Sequence, residues 1–313
     1  MKKNILILGG TRFIGYLLLL KLTNEGHKVT IYNRGITKIP GKLPKNTEVI
    51  KGDRENQTNY QQLFKRKYDC TVDLSGFTEK HVSGIVQKYS DYIGHYIFIS
   101  STSVYKESQN ELISEESDTS DEKNTYGNNK LLAENFLIKN KNKIPITIFR
   151  PNGVYGHHDP CLSGLIIYRL INNLPILVKN NLNVKTNKIF ITDILNIISL
   201  SLNNGKLFGN IYNIAGDNVS LKDFINKCSS VCKKKAILKD DSFLSQEKDV
   251  NFIKVKRHVY FNTEWPINNT IYNNQKIKKI LLCNFTDLEV SIKSTYDWLN
   301  EDKKRLKYFS LKY

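Results

Sequence analysis

The sequence predicts an α/β protein built on a doubly wound, mostly parallel sheet with a smaller C-terminal substrate lobe. Three observations carry that prediction. Short apolar runs alternate with longer amphipathic stretches over the first 150 residues, the first run leads into a glycine turn, and the alternation changes character beyond Gly156. Strands that alternate with helices need crossover connections, and these place helices on both faces of a parallel sheet.

The elements follow in order. Lys3 to Leu8 ("KNILIL") is a short apolar strand; "GGTRFIG" is a tight turn; an amphipathic stretch runs on through Glu25 as a helix. Val29 to Tyr32 is the second strand and Glu48 to Lys51 the third, after which the later part of "GDRENQTNYQQLF" fits a helix. Asp69 to Leu74 and Tyr96 to Ser100 are further strands, with a helix from about Glu79 to Ser90 between them. Glu107 to Asn124 is polar, acidic and aperiodic, a long loop of the kind that covers sites. Tyr126 to Lys139 reads as a helix and Ile144 to Phe149 as a strand. Then come a helix near Leu162 to Asn172, a strand-like "KIFIT", a helix after Asp193, the strand "IYNIA", and a helix that Ser220 caps. Residues 1–156 are thus expected to form a dinucleotide-binding core and 157–313 mainly the substrate lobe, with segments around 189–215 returning to the core.

Composition narrows the function classes. With 40% hydrophobic residues, 17 Tyr and 14 Phe, a chain of 313 residues is globular rather than disordered. Asn4 to Leu8 is too short to span a bilayer and leads into glycines rather than a cleavage site, so a cytoplasmic protein without a membrane segment is expected. The five cysteines, Cys70, Cys161, Cys228, Cys232 and Cys283, include no Cys-x-x-Cys pair, which favours core thiols in a reducing compartment; Cys228 and Cys232 can share one helix face. The formal charge of +17 comes mostly from lysine scattered among asparagine and isoleucine, as in "KNKNK" and "QKIKKI". That scatter reads as a compositional bias rather than a clustered nucleic-acid footprint, although attraction for anionic partners follows from it.

The glycine turn points to a dinucleotide. Gly9, Gly10 and Gly15, with Thr11, Phe13 and Ile14 between them, join a strand to a helix in a Rossmann-type arrangement that aims backbone N–H groups and a helix N-terminus at a pyrophosphate. Arg12 stands where the middle glycine of G-x-G-x-x-G would fall and puts a guanidinium beside the expected phosphates. At the end of the second strand, an aspartate would accept the ribose hydroxyls and repel a 2′-phosphate. Asn33 cannot repel it and Arg34 can pair with it, so the pocket of Arg12, Asn33 and Arg34 is expected to prefer NADP over NAD. Asp53, followed by Arg54 in "KGDR", is placed to contact the adenine region; Leu74, Ser75 and Gly76 of "DLSG" lie at the fourth strand's carboxyl end, where a cofactor passes.

The chemistry centres on Ser101 and on Tyr126 and Lys130 of "YGNNK". Tyr and Lys four apart share a helix face. A phenol is a poor base at neutral pH, but a nearby ammonium stabilises the phenolate, which can then exchange a proton with an alcohol or carbonyl while a serine hydroxyl orients the same oxygen.

Taken in order, "GGTRFIG", "KGDR", "FISSTSVY", "YGNNKLLAE", "FRPNGVYG", "FITDI" and "YNIAG" resemble the extended short-chain dehydrogenase/reductase superfamily, especially its NAD-dependent epimerase/dehydratase-like branch. The resemblance implies Ser101 as the substrate-orienting hydroxyl, Tyr126 as acid/base, and Lys130 as the ribose-binding partner that lowers the tyrosine pKa. It also implies that Pro151 and Val154 border the nicotinamide, that Asn152 belongs to the cleft and that Asp193 is structural. The implied activity is that of an NAD(P)-dependent epimerase or oxidoreductase acting by hydride transfer on a hydroxylated, sugar or nucleotide-sugar-like substrate, in an enzyme that can dimerise.

Two departures qualify it. Ser101-Thr102-Ser103 lacks the acidic pair of the 4,6-dehydratases, and Thr186, flanked by Lys185 and Lys188, stands where epimerases carry a diphosphate-clamping arginine. "GGTRFIG" with "NRG" is also similar to an atypical branch that includes chloroplast stem-loop RNA-binding proteins, which makes RNA the alternative partner. "GHHD", His157 to Asp159 with Gly156, is expected to serve packing or substrate contacts rather than a metal, and "YDWL" and "EWPI" to anchor the smaller lobe.

Overall fold

The computed structural model describes residues 1–106, 112–159, 163–178, 181–239, 268–302 and 305. Seven strands form the central sheet: β1 (Asn4–Leu8), β2 (Lys28–Asn33), β3 (Thr47–Lys51), β4 (Cys70–Asp73), β5 (Tyr96–Ile99), β6 (Ile146–Pro151) and β7 (Asn210–Ile214). Their order is β7-β6-β5-β4-β1-β2-β3, and every neighbouring pair is parallel. The strand order reverses between β1 and β4, the crevice where open α/β sheets bind ligands beyond the strands' carboxyl ends.

Buried strands explain the two-sided sheet. Ile5 and Ile7 of β1 pack into one hydrophobic cluster, with Leu18 and Leu22 of helix α1 (Phe13–Asn24). Leu6 and Leu8 pack into another, with Val82 and Val86 of α2 (Glu79–Tyr89) and Ala133 and Leu137 of α3 (Tyr126–Lys139). The period of two sends alternate side chains to opposite faces, so a strand apolar at both parities is covered on both.

Beyond β6 the chain adds α4 (Ser163–Ile171), α5 (Ile191–Ser201), α6 (Leu221–Cys232), α7 (Gln275–Leu281) and α8 (Leu288–Glu301). Phe224, Ile292 and Leu299 from these helices join the cluster that holds Ile5 and Ile7, so the C-terminal helices share a core with one face of the sheet. Cys228 and Cys232 are buried together on α6, whose N-terminus Ser220 caps by accepting from the Asp223 backbone N–H at 3.0 Å.

Several boundaries differ from the sequence reading. "KIFIT" is a strand only at Ile189–Phe190; α5 starts at Ile191 because Ile191, Ile194 and Ile198, at helical spacing, are all buried. "QKIKKI", read as biased composition, is helix α7, with Ile277 turned inward. The segment after "GDR" forms only a 3-10 turn at Gln57–Asn59 and one helical turn at Tyr60–Leu63. Cys161, Leu162, "EWPI" and residues 107–111 of the acidic loop lie outside the described residues. No helix among the described residues is long and apolar enough to cross a membrane.

Candidate active site

Gly9 and Gly10 follow β1 at φ +104° and +127°, and a Cβ on Gly10 would lie 2.8 Å from Ile31. A Cβ on Gly15 would lie 2.8 Å from the Gly10 Cα, so only glycine lets α1 start against the turn. Arg12 occupies the N-cap with extended backbone, its side chain makes no cap, and the first turn of α1 holds no acidic residue. The result is a helix N-terminus that favours an anion. Thr11, Phe13 and Ile14 complete the turn half-buried, while Arg12 is exposed.

Beside this turn lies a cavity of about 280 Å³ bounded by Gly9, Thr11, Asn33, Arg34, Asp53, Arg54 and Ser75, together with Tyr32, Gly52, Phe77 and His81. The Asn33 Oδ1 accepts from the Gly35 N–H at 2.7 Å, its buried Nδ2 has no partner among the described residues, and Arg34 is exposed at the rim. Arg12 does not line this cavity and stands apart at the helix start. Asp53 accepts from the Glu55 N–H at 3.0 Å and so shapes its own turn.

Arg54, expected at the cofactor, bounds the cavity and turns its guanidinium toward the protein. Its two terminal nitrogens donate to the two Asp73 oxygens at 2.8 and 3.0 Å, and also to Ser75 Oγ and the His81 carbonyl. Asp73 is fully buried and also accepts from the Tyr96 hydroxyl at 2.5 Å and the Ser75 N–H at 3.0 Å. Burial works to raise the Asp73 pKa, but the charge and hydrogen bonds of Arg54, with Tyr96, outweigh it and hold the carboxyl below its usual value. An uncompensated buried carboxylate is costly, which is why the guanidinium turns inward and ties together the loops after β3 and β4. Gly76 makes room: a Cβ there would meet Asp73 Oδ2 at 2.7 Å. Leu74, half-buried, packs beneath Gly9 and Gly15.

At the next strand end the three expected catalytic side chains converge. Ser101 follows β5 and accepts from the Ser103 N–H at 3.1 Å. Tyr126 opens α3, which Thr125 caps by accepting from the Asn128 N–H at 3.1 Å. The adjacent Gly127, which sequence reasoning passed over, lets α3 approach: a Cβ there would sit 1.9 Å from the Ser103 carbonyl. Burial raises the Tyr126 pKa, and a hydrogen bond with Ser101 works to lower it.

Lys130, one turn on, is 1% exposed. Its Nζ donates to the Ile99 carbonyl at 2.7 Å and lies 4.7, 5.2 and 5.9 Å from the ring centres of Phe98, Phe77 and Tyr126. Desolvation brings its pKa down to about 8, with Asp73 pulling the other way. The Lys130 ammonium is held toward the Ile99 carbonyl and the rings, and Ser101 is the side chain that hydrogen-bonds the Tyr126 phenol. Phe77, 47% exposed, both lines the cavity and faces Tyr126 at 6.2 Å, linking the two halves of the site.

The remaining expected residues lie at the end of β6 and beyond it. Pro151 ends β6 buried, and Val154 is half-buried beside Ile189. Asn152 accepts from Thr102 Oγ1 at 3.0 Å and donates to the Asn187 carbonyl at 2.7 Å. Thr186 and Lys188 are buried and Lys185 is exposed. Asp193 accepts from the backbone and hydroxyl of Thr286, anchoring the C-terminal segment. In "GHHD", His157 stacks on Trp298 of "YDWL" at 5.3 Å, His158 contacts the same ring, and Asp159 accepts from the Ser163 N–H at the start of α4. No group of three or more metal-ligating side chains occurs among the described residues.

Comparison with known proteins places this architecture. The chain is 30% identical over 241 residues to the chloroplast stem-loop binding protein of 41 kDa b of Arabidopsis thaliana, covering 72% of this chain and 62% of that one. It thus spans about three fifths of that relative's length. Its fold matches UDP-glucose 4-epimerase of Thermotoga maritima with UDP-glucose, at TM-score 0.77 and 17% identity over 95% of this chain and 99% of that one. It also matches UDP-glucuronic acid 4-epimerase of Bacillus cereus in complex with NAD, at TM-score 0.73 and 19% identity over the same shares. Residues 5–215 match the NAD dependent epimerase/dehydratase family, and the chain belongs to it.

Proposed function

We propose that this chain is an NAD(P)-dependent epimerase or reductase acting on a hydroxylated, sugar or nucleotide-sugar-like substrate. The observation that carries the reading is the convergence of Ser101, Tyr126 and Lys130 at strand ends next to a glycine turn that excludes side chains. The cradle suits a dinucleotide on its own terms. Gly10 and Gly15 leave no room for a Cβ, the helix start has no side-chain cap, and the cavity wall carries the unpartnered Asn33 Nδ2.

Gly9 to Gly15 would hold the pyrophosphate, the cavity near Asn33, Arg34 and Asp53 the adenosine, and Lys130 the ribose next to the nicotinamide. The bound nicotinamide supplies hydride chemistry. Tyr126 exchanges a proton with the substrate oxygen, which Ser101 orients by hydrogen bonding. Lys130 contributes a buried positive charge one helical turn away, and Phe77, Phe98 and Tyr126 keep water from it. Asn33 and Arg34 support a preference for NADP: neither repels a 2′-phosphate, and Arg34 is free to reach one at the rim. Turnover by the wild type, measured as change in nicotinamide absorbance or sugar stereochemistry, should fall by about 10²–10⁴ in Tyr126→Phe with dinucleotide binding kept within twofold. Undiminished turnover in that variant overturns the reading.

A second reading has its own support in the stem-loop binding relative: an RNA-binding protein on a dinucleotide fold. Its test is a salt titration of RNA affinity, with steep dependence expected.

A further inference from the structure

In sequence the lysines look scattered; the parallel sheet gathers them. Because all seven strands run the same way, the residues that precede each strand lie along one edge, opposite the glycine turn and Tyr126. Lys2 precedes β1, Lys28 opens β2, Lys45 precedes β3, Lys67 precedes β4, and Lys141 and Lys143 precede β6; all six are exposed. The half-buried Lys3 and the exposed Lys206 before β7 add to them.

Acidic residues near this edge are few and mostly engaged. Glu48 pairs with Arg66 at 2.6 Å, Glu25 with Lys21 at 2.8 Å, and Asp69 accepts from the Asn4 N–H at 2.7 Å, leaving Asp91 exposed. Two concave clefts lie on the edge. One, of about 420 Å³, is bounded by Lys2, Lys3, Lys28, Lys45 and Asn46 with the Arg66-paired Glu48; the other, of about 500 Å³, by Lys141, Asn142, Lys143, Phe208 and Asn210. Helix C-termini also end on this side and favour lysines there, as at Lys141 just past α3, but the lysines before β1 and β3 follow no helix and this effect does not require them.

We propose that the amino edge of the sheet is a polyanion track that binds the phosphate backbone of single-stranded RNA, separate from the dinucleotide cavity. From β7 to β3 it extends about 29 Å at about 4.8 Å per strand, long enough for several phosphates in a row. Lysines set in clefts with asparagine amides suit a flexible, curved chain with sugar hydroxyls better than a flat lipid surface, and among the described strand-leading residues at this edge only Met1 and, at 36%, Tyr92 expose a large apolar side chain. The inference rests on the RNA reading above for its partner class and adds where that partner binds. Since the two edges are opposite, dinucleotide and RNA bind together.

The test uses a fluorescein-labelled 20-nucleotide oligouridylate and fluorescence anisotropy across a salt series. The edge variant carries Lys28→Gln, Lys45→Gln, Lys67→Gln, Lys141→Gln and Lys143→Gln; the charge-matched control carries Lys222→Gln, Lys234→Gln, Lys235→Gln, Lys279→Gln and Lys293→Gln. The edge variant should lose at least tenfold in affinity, its log K against log salt slope should flatten by about 3.5 at about 0.7 per lost phosphate contact, and the control should stay within threefold. The smaller variant Lys28→Gln with Lys143→Gln, one lysine from each cleft, should lose about threefold. NADP at 1 mM should leave RNA affinity unchanged. Equal losses in edge and control variants, or competition by NADP, overturn the track while leaving RNA binding itself intact. No binding of oligouridylate by the wild type, or binding only to vesicles containing phosphatidylserine, overturns the track; the RNA reading falls with it when a stem-loop RNA of the same length also fails to bind at low salt.

Discussion

The two edges of one sheet use charge in opposite ways. At the carboxyl edge, Asp73 and Lys130 are buried and Arg54 is mostly so, each fixed by named partners. At the amino edge, lysines such as Lys28 and Lys143 are exposed, and no ion pair to either is found among the described residues. In the interior a charge interacts at low dielectric with one neighbour; at the surface, water and salt screen it and only numbers count. Single substitutions should therefore be severe at one edge and almost silent at the other.

The largest effect sharpens that contrast. Asp73→Asn leaves Arg54 buried without its carboxylate, and chemical denaturation should show a loss of about 3–5 kcal/mol. Combining it with Arg54→Met should recover much of that loss, since the stranded charge leaves too. Next comes the pH dependence of Lys130. Its folded pKa is lowered to about 8 from an ordinary 10.5, so the cost of burying the ammonium is complete below about pH 8 and fades as pH rises toward 10.5. Relative to Lys130→Met, wild-type stability should rise over that window by about 3 kcal/mol, measured by denaturation at each pH. A flat difference would show that the lysine keeps an ordinary pKa.

Arg34→Ala tests the rim, where charge is exposed but faces a cavity. NADP affinity by calorimetry should fall about tenfold with NAD affinity nearly unchanged, as for one lost charge-assisted contact. Equal losses for both would remove the 2′-phosphate reading. The smallest effect belongs to the amino edge: Lys28→Gln alone should change stability by less than about 0.5 kcal/mol. A larger loss would mean that edge charges are individually built in, and the contrast between edges would fail.

What was legible follows from distance along the chain. The glycine turn after β1 and the Tyr126–Lys130 spacing are local patterns, and a turn or a helix face needs only neighbours to form. The Asn33 and Arg34 positions follow from strand ends, and they line the cavity. The pairing of Arg54 was not legible because its partner, Asp73, lies 19 residues away at the end of another strand. Gly127 was passed over, and its reason is a carbonyl at Ser103 that only packing brings near. Helix α7 was missed because its buried positions are sparse: Ile277 is its one buried residue.

Periodicity, turns and caps by themselves determined that this chain alternates strands and helices and starts with an anion-binding turn, because those signals reside in a few consecutive residues. Tertiary structure decided which charges meet. The pairing order of parallel strands carried Arg54 onto Asp73, covered Lys130 with three rings, and turned lysines spread from Lys2 to Lys206 into one edge. Electrostatic energy depends on separation in space and on burial, and neither is written in the distance between two letters.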